Sequence, residues 1–354
     1  MTASRDSATD IQARVIDAIE RHAPLAIVGG GTKQFLGREA HGEPLALGDH
    51  RGVVDYHPEE LVLTAQAGTP LSELETLLAD HDQMFAFEPP HFGAAATLGG
   101  TIAANLSGPR RAYAGAARDF VLGTRIVTGR GKILRFGGEV MKNVAGYDLS
   151  RLVTGAMGTL GVILDVSLKV LPRPRETLTL VQSLTPRAAV ETLCRWAAAP
   201  LPISATCVEN EHLYVRLSGT ASALAKARTA IGGEVLEDAD TFWMEVREQR
   251  RRFFGGETPL WRISVPPAAI LDLPGEQMIE WGGALRWFRS DAPAERIRTA
   301  AAKQGGHAML FRSRVRSPEP YHPLPEPLMQ LHKRIKTAMD PHGIFNRGRM
   351  YAEF

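Results

Sequence analysis

Two glycine-rich stretches hold the residues best suited to chemistry in this 354-residue chain. The first, Gly29-Gly30-Gly31-Thr32-Lys33, follows directly on the apolar run Leu25–Val28. The second, Thr97-Leu-Gly99-Gly100-Thr-Ile-Ala103, lies in a segment from Gly93 to Gly161 that carries fourteen of the 34 glycines. Glycine costs stability inside regular elements, so this density needs a reason. One reason is close approach of main-chain N–H groups to a large anionic cofactor, where a Cβ would collide with it. The other is a series of tight turns between short strands. Successive amides in such a turn form an anion-binding concavity, to which Thr32 adds a hydroxyl and Lys33 a positive charge. Two common phosphate motifs are excluded. G-x-G-x-x-G starting at Gly29 needs glycine at position 34, where Gln34 stands, and no G-x-x-x-x-G-K-[ST] occurs.

Composition narrows the field further. With 41 basic against 39 acidic residues the chain presents no overall field for nucleic acid or an anionic membrane. The basic run Arg247–Arg252 reads as one solvated helix face. Cys194 and Cys207 are the only cysteines, with no C-x-x-C, which argues against a disulfide framework or a cysteine-ligated iron–sulfur centre in this chain. The N-terminus lacks an apolar h-region and no uncharged apolar run is long enough to span a bilayer. The expected setting is therefore cytoplasmic, with any attachment at the inner membrane made through partners and no direct insertion.

The elements that must position these residues follow from local patterning. Asp10 is expected to cap a helix over Ile11–His22, whose apolar residues recur at helical spacing, and Pro24 to end it. Strands are expected at Leu25–Val28, Gly52–Tyr56 and Leu61–Ala65, with a helix from Pro70 begun by Thr69. Paired prolines at Pro172 and Pro174 mark a domain boundary. Beyond them, strand Thr177–Ser183, helix Arg187–Ala198, strands Ala205–Glu209 and His212–Leu217, helix Ala221–Ile231 and strand Glu234–Glu237 follow the β-α-β-β-α-β order of a ferredoxin-like split motif. A helix over Thr241–Phe254, strands Leu260–Val265, Gly283–Phe288 and His307–Arg314, helices Ala294–Gln304 and Leu328–Met339, and a proline-rich connector complete the reading.

Taken in order, several segments resemble the FAD-binding fold shared by vanillyl-alcohol oxidase, p-cresol methylhydroxylase and the D-2-hydroxyacid dehydrogenases. They are Gly29–Thr32, Asp55–Glu59 with Thr64–Gly68, Thr97–Asn105, Gly115 with Asp119–Gly123, Lys142–Leu149, Gly158–Ile163, and Asp340-Pro through Asn346. The short length and the Lys142–Leu149 run are most similar to the E-type subunits of bacterial glycolate oxidases, which work with a related D-type flavoprotein subunit and an iron–sulfur F-type subunit. The resemblance implies an α+β fold, with a two-subdomain FAD-binding domain over residues 1–172. A ferredoxin-like-based α/β cap would cover 173–327, and a C-terminal helix and tail, 328–354, would return to the FAD domain. It implies that Gly29, Gly30, Gly31 and Thr32, with Lys33, hold the pyrophosphate, and that Pro89, Thr97, Gly99 and Gly100 complete the cradle. Ala103, Ser107, Gly108, Gly115 and the Gly158 turn would line the FAD, Ile163 would contact its adenosine or ribityl part, and Asn346 would approach the flavin ring.

Departures from the family also carry meaning. Members that bind FAD covalently often place histidine directly after the glycines, where this chain has Thr32, and no cysteine precedes Cys194; non-covalent FAD is expected. The divalent-metal motif of the larger D-2-hydroxyacid dehydrogenases is missing, and His307 lacks a second histidine at ligand spacing, so no metal is expected. A flavin dehydrogenase needs a base for the hydroxyl proton and cations for a substrate carboxylate. Arg286, Arg289, Arg312 and Arg314 on the predicted cap strands are candidates for the cations, since arginine offers a carboxylate two parallel hydrogen bonds. His307 is the candidate base. Three functions stay open at this point: a flavoprotein subunit of a glycolate-oxidising complex, a self-sufficient flavin dehydrogenase of a small 2-hydroxy acid, and a structural subunit that keeps the fold without redox work.

Overall fold

The computed structural model describes residues 6–138, 148–314 and 319–354; most of the Lys142–Leu149 run lies outside them. The chain divides into two compact units. The first comprises Met1–Leu106, Ala116–Pro172 and Pro323–Phe354, and the second Ser107–Gly115 and Arg173–His322.

Among the described residues of the first unit, a five-stranded antiparallel sheet runs Val53–His57, Val62–Gln66, Val162–Lys169, Val121–Val127, Ile133–Gly137. Beside it, Leu25–Val28 pairs in parallel with Glu43–Ala46. Helix Ala8–Glu20 turns Ile11, Val15 and Ala18 onto Leu25, Leu45, Val127, Val162, Leu164, Ile344 and Phe345. One core therefore joins the start, middle and end of the chain. This helix starts two residues before the expected Asp10 cap, because Asp6 Oδ1 already accepts from the Ala8 amide at 2.8 Å. Thr69 likewise does not cap helix Leu71–Ala79; its hydroxyl donates to Gln66 O at 2.7 Å and accepts from Gly52 N at 2.9 Å, holding the turn before the helix.

The chain's end is pinned by a buried ion pair. Lys336, near the end of helix Glu326–Met339, donates to Asp340 Oδ2 at 2.7 Å, Thr159 O at 2.8 Å and Phe345 O at 2.9 Å. Asp340 in turn accepts from the amides of Ile344 and Phe345. All three ammonium protons are used, which is what makes a buried lysine tolerable. The turn so fixed delivers Leu25 N to Ile344 O at 2.7 Å and Asn346 N to Leu25 O at 3.0 Å.

Among the described residues, the second unit is built on an eight-stranded sheet in the order Glu234–Val235, Glu176–Ser183, His212–Gly219, Ile203–Glu209, Glu276–Glu280, Leu285–Arg289, Leu260–Ser264, His307–Arg312. Its first four strands take the order expected of the split β-α-β-β-α-β motif, with helices Pro186–Trp196 and Ala221–Ile231 capped by Thr185 and Thr220. Those helices bury Ala189, Leu193, Leu224, Ala227 and Ile231 against Leu180, Val208, Val215 and Ile279. Strand Glu276–Glu280 was not foreseen; it joins the two halves by pairing with both Cys207–Val208 and Leu285–Arg289. The helix expected over Thr241–Phe254 stops at Arg247, since Gln249 enters the left-handed region (φ 54°) and Arg252–Phe254 forms a separate 3₁₀ turn.

Candidate functional site

In the first unit a groove of about 100 Å³ is lined by Ile27, Gly29–Gln34, Thr97, Gly100, Ala103, Met157, Asn346 and Arg349. Strand Leu25–Val28 explains its wall. Along this strand Leu25 N donates to Ile344 O and Ile27 N to Asn346 Oδ1 at 2.7 Å. The next amide on that side belongs to Gly29, beyond the strand's end. Among the described residues, the amides of Gly29, Gly30, Gly31 and Thr32 donate to no protein acceptor. Four consecutive free N–H groups beside a groove are the donor set an anionic diphosphate requires.

The two glycine-rich stretches meet here. A Cβ on Gly30 would lie 1.4 Å from Ala95 O, and one on Gly29 would lie 2.5 Å from Thr97 Oγ1. Glycine at 30 is thus demanded by the neighbouring loop itself, which presses main chain against main chain. Thr97 caps the short helix Leu98–Ala104, its Oγ1 accepting from Gly100 N at 3.3 Å. Leu98 N and Gly99 N are already committed to Thr69 O and Ala67 O, so the second stretch offers the groove a hydroxyl and a small-residue floor and keeps its first amides for the fold.

Lys33 and Arg349 surround the loop with positive charge. Lys33, 8% exposed, donates from Nζ to His91 O at 3.3 Å and rests over the Phe92 ring. Arg349 holds the loop from beneath, donating to the carbonyls of Gln34, Arg38 and Lys33. Asn346 acts as a clamp: its Oδ1 takes the Ile27 amide and its Nδ2 donates to Met157 O at 2.7 Å, with φ at 39°. Gly158, at φ 73°, makes room for it, since a Cβ there would lie 2.6 Å from Asn346 Nδ2.

Of the residues singled out in the sequence, Gly29–Lys33, Thr97, Gly100, Ala103 and Asn346 come together in the groove wall. Pro89, Gly99, Gly158 and Ile163 lie outside it; Gly99 packs on Ala67 and Ile163 pairs with Ile126 within the sheet. Ser107, Gly108 and Gly115 belong to the second unit, where Gly108 O accepts from Trp281 Nε1 at 3.1 Å. Arg349 was missed; the basic cluster Arg347-Gly-Arg349 directly after Asn346 was its signal.

The second unit carries a cationic patch. The guanidinium carbons of Arg111 and Arg262 lie 4.4 and 5.1 Å from the Trp281 ring centroid. The Arg262 side chain has no hydrogen-bond or ion-pair partner among the described residues. Burial and the neighbouring Arg111 charge hold its pKa down to about 10, against the opposing pull of Glu280. Strand register puts Arg262 opposite Trp287 and His307 opposite Ser264, so Arg262 and His307 share the sheet face away from Trp261 and Ile263. Burial, Arg262 and His322 depress the His307 imidazole, which favours its neutral, proton-accepting form. Nearby, Tyr113 OH lies 3.4 Å from Thr206 Oγ1, and burial raises its phenol.

The arginines expected to meet a substrate carboxylate have other contacts. Arg286 donates to Pro267 O and Ala269 O, Arg289 to Phe253 O, Arg312 to Gln249 Oε1 and Arg314 to Glu257. Arg262 and Arg111 were not singled out, because neither lies in a motif and only strand pairing and a loop return bring them to one tryptophan.

Comparison with known proteins gives this architecture relatives. A family model described as an FAD binding domain matches residues 3–137. The chain is 50% identical to the Escherichia coli K12 glycolate oxidase subunit GlcE, over 96% of each chain. It is 33% identical to the Bacillus subtilis glycolate oxidase subunit GlcD over 49% of this chain and 37% of that one. Among solved structures, p-cresol methylhydroxylase with substrate bound superposes with a TM-score of 0.73 at 14% identity, over 99% of this chain and 88% of that one. A 4-ethylphenol oxidase from Gulosibacter chungangensis does so at 0.69 and 16%, over 97% and 87%. At those identities the structural likeness establishes the fold.

Proposed function

We propose, from the premise that this chain belongs to the FAD-binding family of the glycolate oxidase E subunit, that it is the FAD-carrying subunit of a glycolate-oxidising complex. In this reading it works beside a related D-type flavoprotein subunit and passes electrons to an iron–sulfur F-type subunit. The observation that carries the reading is the run of four uncommitted amides from Gly29 to Thr32 beside a groove floored by Gly100 and Ala103. The residues fit FAD: uncommitted donors and positive charge lie beside one groove, whose floor at Gly100 and Ala103 carries no side chain larger than a methyl.

The roles divide as follows. Gly29–Thr32 bind the diphosphate through main-chain N–H groups, with Thr97 Oγ1 as a further polar contact. Lys33 and Arg349 add field and hold the loop's shape. Asn346, Gly158 and the Lys336–Asp340 pair fix the strand that aims the amides. When bound, FAD supplies the two-electron acceptor for a 2-hydroxy acid. Arg262 and Arg111 bind the substrate carboxylate and relieve their mutual repulsion by doing so, and His307, its imidazole biased toward the neutral form, takes the hydroxyl proton. Thr32 after the glycines and the confinement of both cysteines to the second unit support non-covalent attachment.

The test is made on purified protein. The expected preparation is yellow, releases FAD into the supernatant on acid precipitation, and bleaches with glycolate when the D- and F-type subunits are present. A colourless preparation that binds no added FAD would overturn the reading; bleaching by glycolate without partners would assign self-sufficient activity instead.

A further inference from the structure

The second unit holds a second cavity that the flavin reading does not use. About 400 Å³ in volume, it lies between helix Pro186–Trp196, the segment Ala268–Leu271 and the sheet. That volume falls within the range of small-molecule sites, about 300–1,000 Å³. Its walls are mainly apolar: Val190, Ala269, Ile270, Leu271 and Ile279. Arg286 stands among them, 4% exposed.

Arg286 is only partly satisfied. One terminal nitrogen donates to Pro267 O at 2.8 Å and Ala269 O at 3.2 Å, while the buried Nε has no hydrogen-bond partner among the described residues. No carboxylate there forms an ion pair with it. Glu191, which also lines the cavity, is exposed and bonded to Arg187 at 3.1 Å. A buried guanidinium without an anion is costly, and an N–H left unpaired adds to the cost. The missing countercharge is supplied by one incoming carboxylate at the part of the guanidinium that lines the cavity. A dianion would leave excess charge against apolar walls, since among the described residues no second uncommitted cation lines the cavity.

We propose that this cavity binds an amphipathic monocarboxylate, its carboxylate on the Arg286 guanidinium and its aliphatic tail along Val190, Leu271 and Ile279. The site is independent of the FAD groove and of the proposed reaction.

The chain carries its own reporter. Cys194 lines the cavity and is partly exposed, whereas Cys207 is fully buried, so maleimide alkylation mapped by mass spectrometry reads the cavity at Cys194. Octanoate is the probe and octanol its uncharged control, both on the full chain. Octanoate should protect Cys194 at concentrations about tenfold or more below those octanol needs, the preference one charge-assisted hydrogen bond confers. Arg286→Met should erase that preference. Val190→Phe, which fills the cavity and leaves Arg286 in place, should lose octanoate binding by calorimetry, and it keeps the test decisive if Arg286→Met does not fold. Equal protection by octanol and octanoate, protection by neither, or a preference that survives Arg286→Met would overturn the proposal.

Discussion

Replacing Gly30 by alanine tests the central contact between the two glycine-rich stretches. The new Cβ would stand 1.4 Å from Ala95 O, and ordinary contact begins at 3.4 Å, so main chain must move by 3.4 − 1.4 = 2.0 Å on one side or the other. Neither partner is a flexible side chain. Overpacking of this kind costs about 1–3 kcal/mol of stability. The larger effect falls on the cofactor, because a shift of this size takes the Gly29–Thr32 amides out of hydrogen-bond range of a diphosphate held against Thr97. Losing one or two charge-assisted hydrogen bonds at about 1.5–3 kcal/mol each weakens FAD binding by roughly ten- to twenty-thousand-fold. Apo-protein titrated with FAD, followed by flavin fluorescence quenching, measures the constant, and a thermal melt without FAD separates the fold's loss from the site's. Gly48→Ala is the control, since a Cβ there meets nothing within 4 Å. FAD affinity within about threefold of wild type in Gly30→Ala would refute the argument that this contact positions the amides.

Three further outcomes follow from the same structure. Lys336→Met strands the buried Asp340 carboxylate and two backbone carbonyls, so denaturant unfolding should show a loss of about 3–5 kcal/mol, partly restored by adding Asp340→Asn; additive losses in the double variant would show that the two are not a coupled pair. His307, His322 and His332 are all held below the ordinary imidazole value of 6.5, burial being the first cause in each. The unfolded chain therefore takes up protons first, and stability should be full above pH 6.5 and fall as pH drops through the lower folded values, a dependence that shrinks in His332→Gln. In the assembled complex, Arg262→Gln should raise the KM for glycolate about 10–150-fold, the worth of one charge-assisted contact, while leaving FAD content unchanged; an unaltered KM would remove Arg262 from the substrate site.

What the amino-acid order determined by itself was what depends on near neighbours. An apolar run ending in Gly29-Gly-Gly-Thr32 reads locally as a strand opening into a loop, although that its amides stay uncommitted was decided by the packed structure. The alternation of strand and helix patterns from Thr177 to Glu237 was enough to place four strands in their observed order, because helix and strand periodicities bury one face each and short connections leave few topologies. The family membership was legible for the same reason, as motifs in a fixed succession.

Only the tertiary structure decided which residues those elements bring into contact. Asn346 meets Ile27 across 319 positions, and Lys336 meets Thr159 across 177. Gly30 is required by a carbonyl at Ala95 that no local rule connects to it. Arg262 looked like any arginine on a strand until pairing set it beside Trp281 with no side-chain hydrogen bond or ion pair among the described residues, and Arg286 until helix Pro186–Trp196 and the Ala268–Leu271 segment closed around it. Local patterning fixes which face of an element is apolar, but a charge acquires its meaning from the dielectric and the partners around it, and those exist only once distant segments have packed.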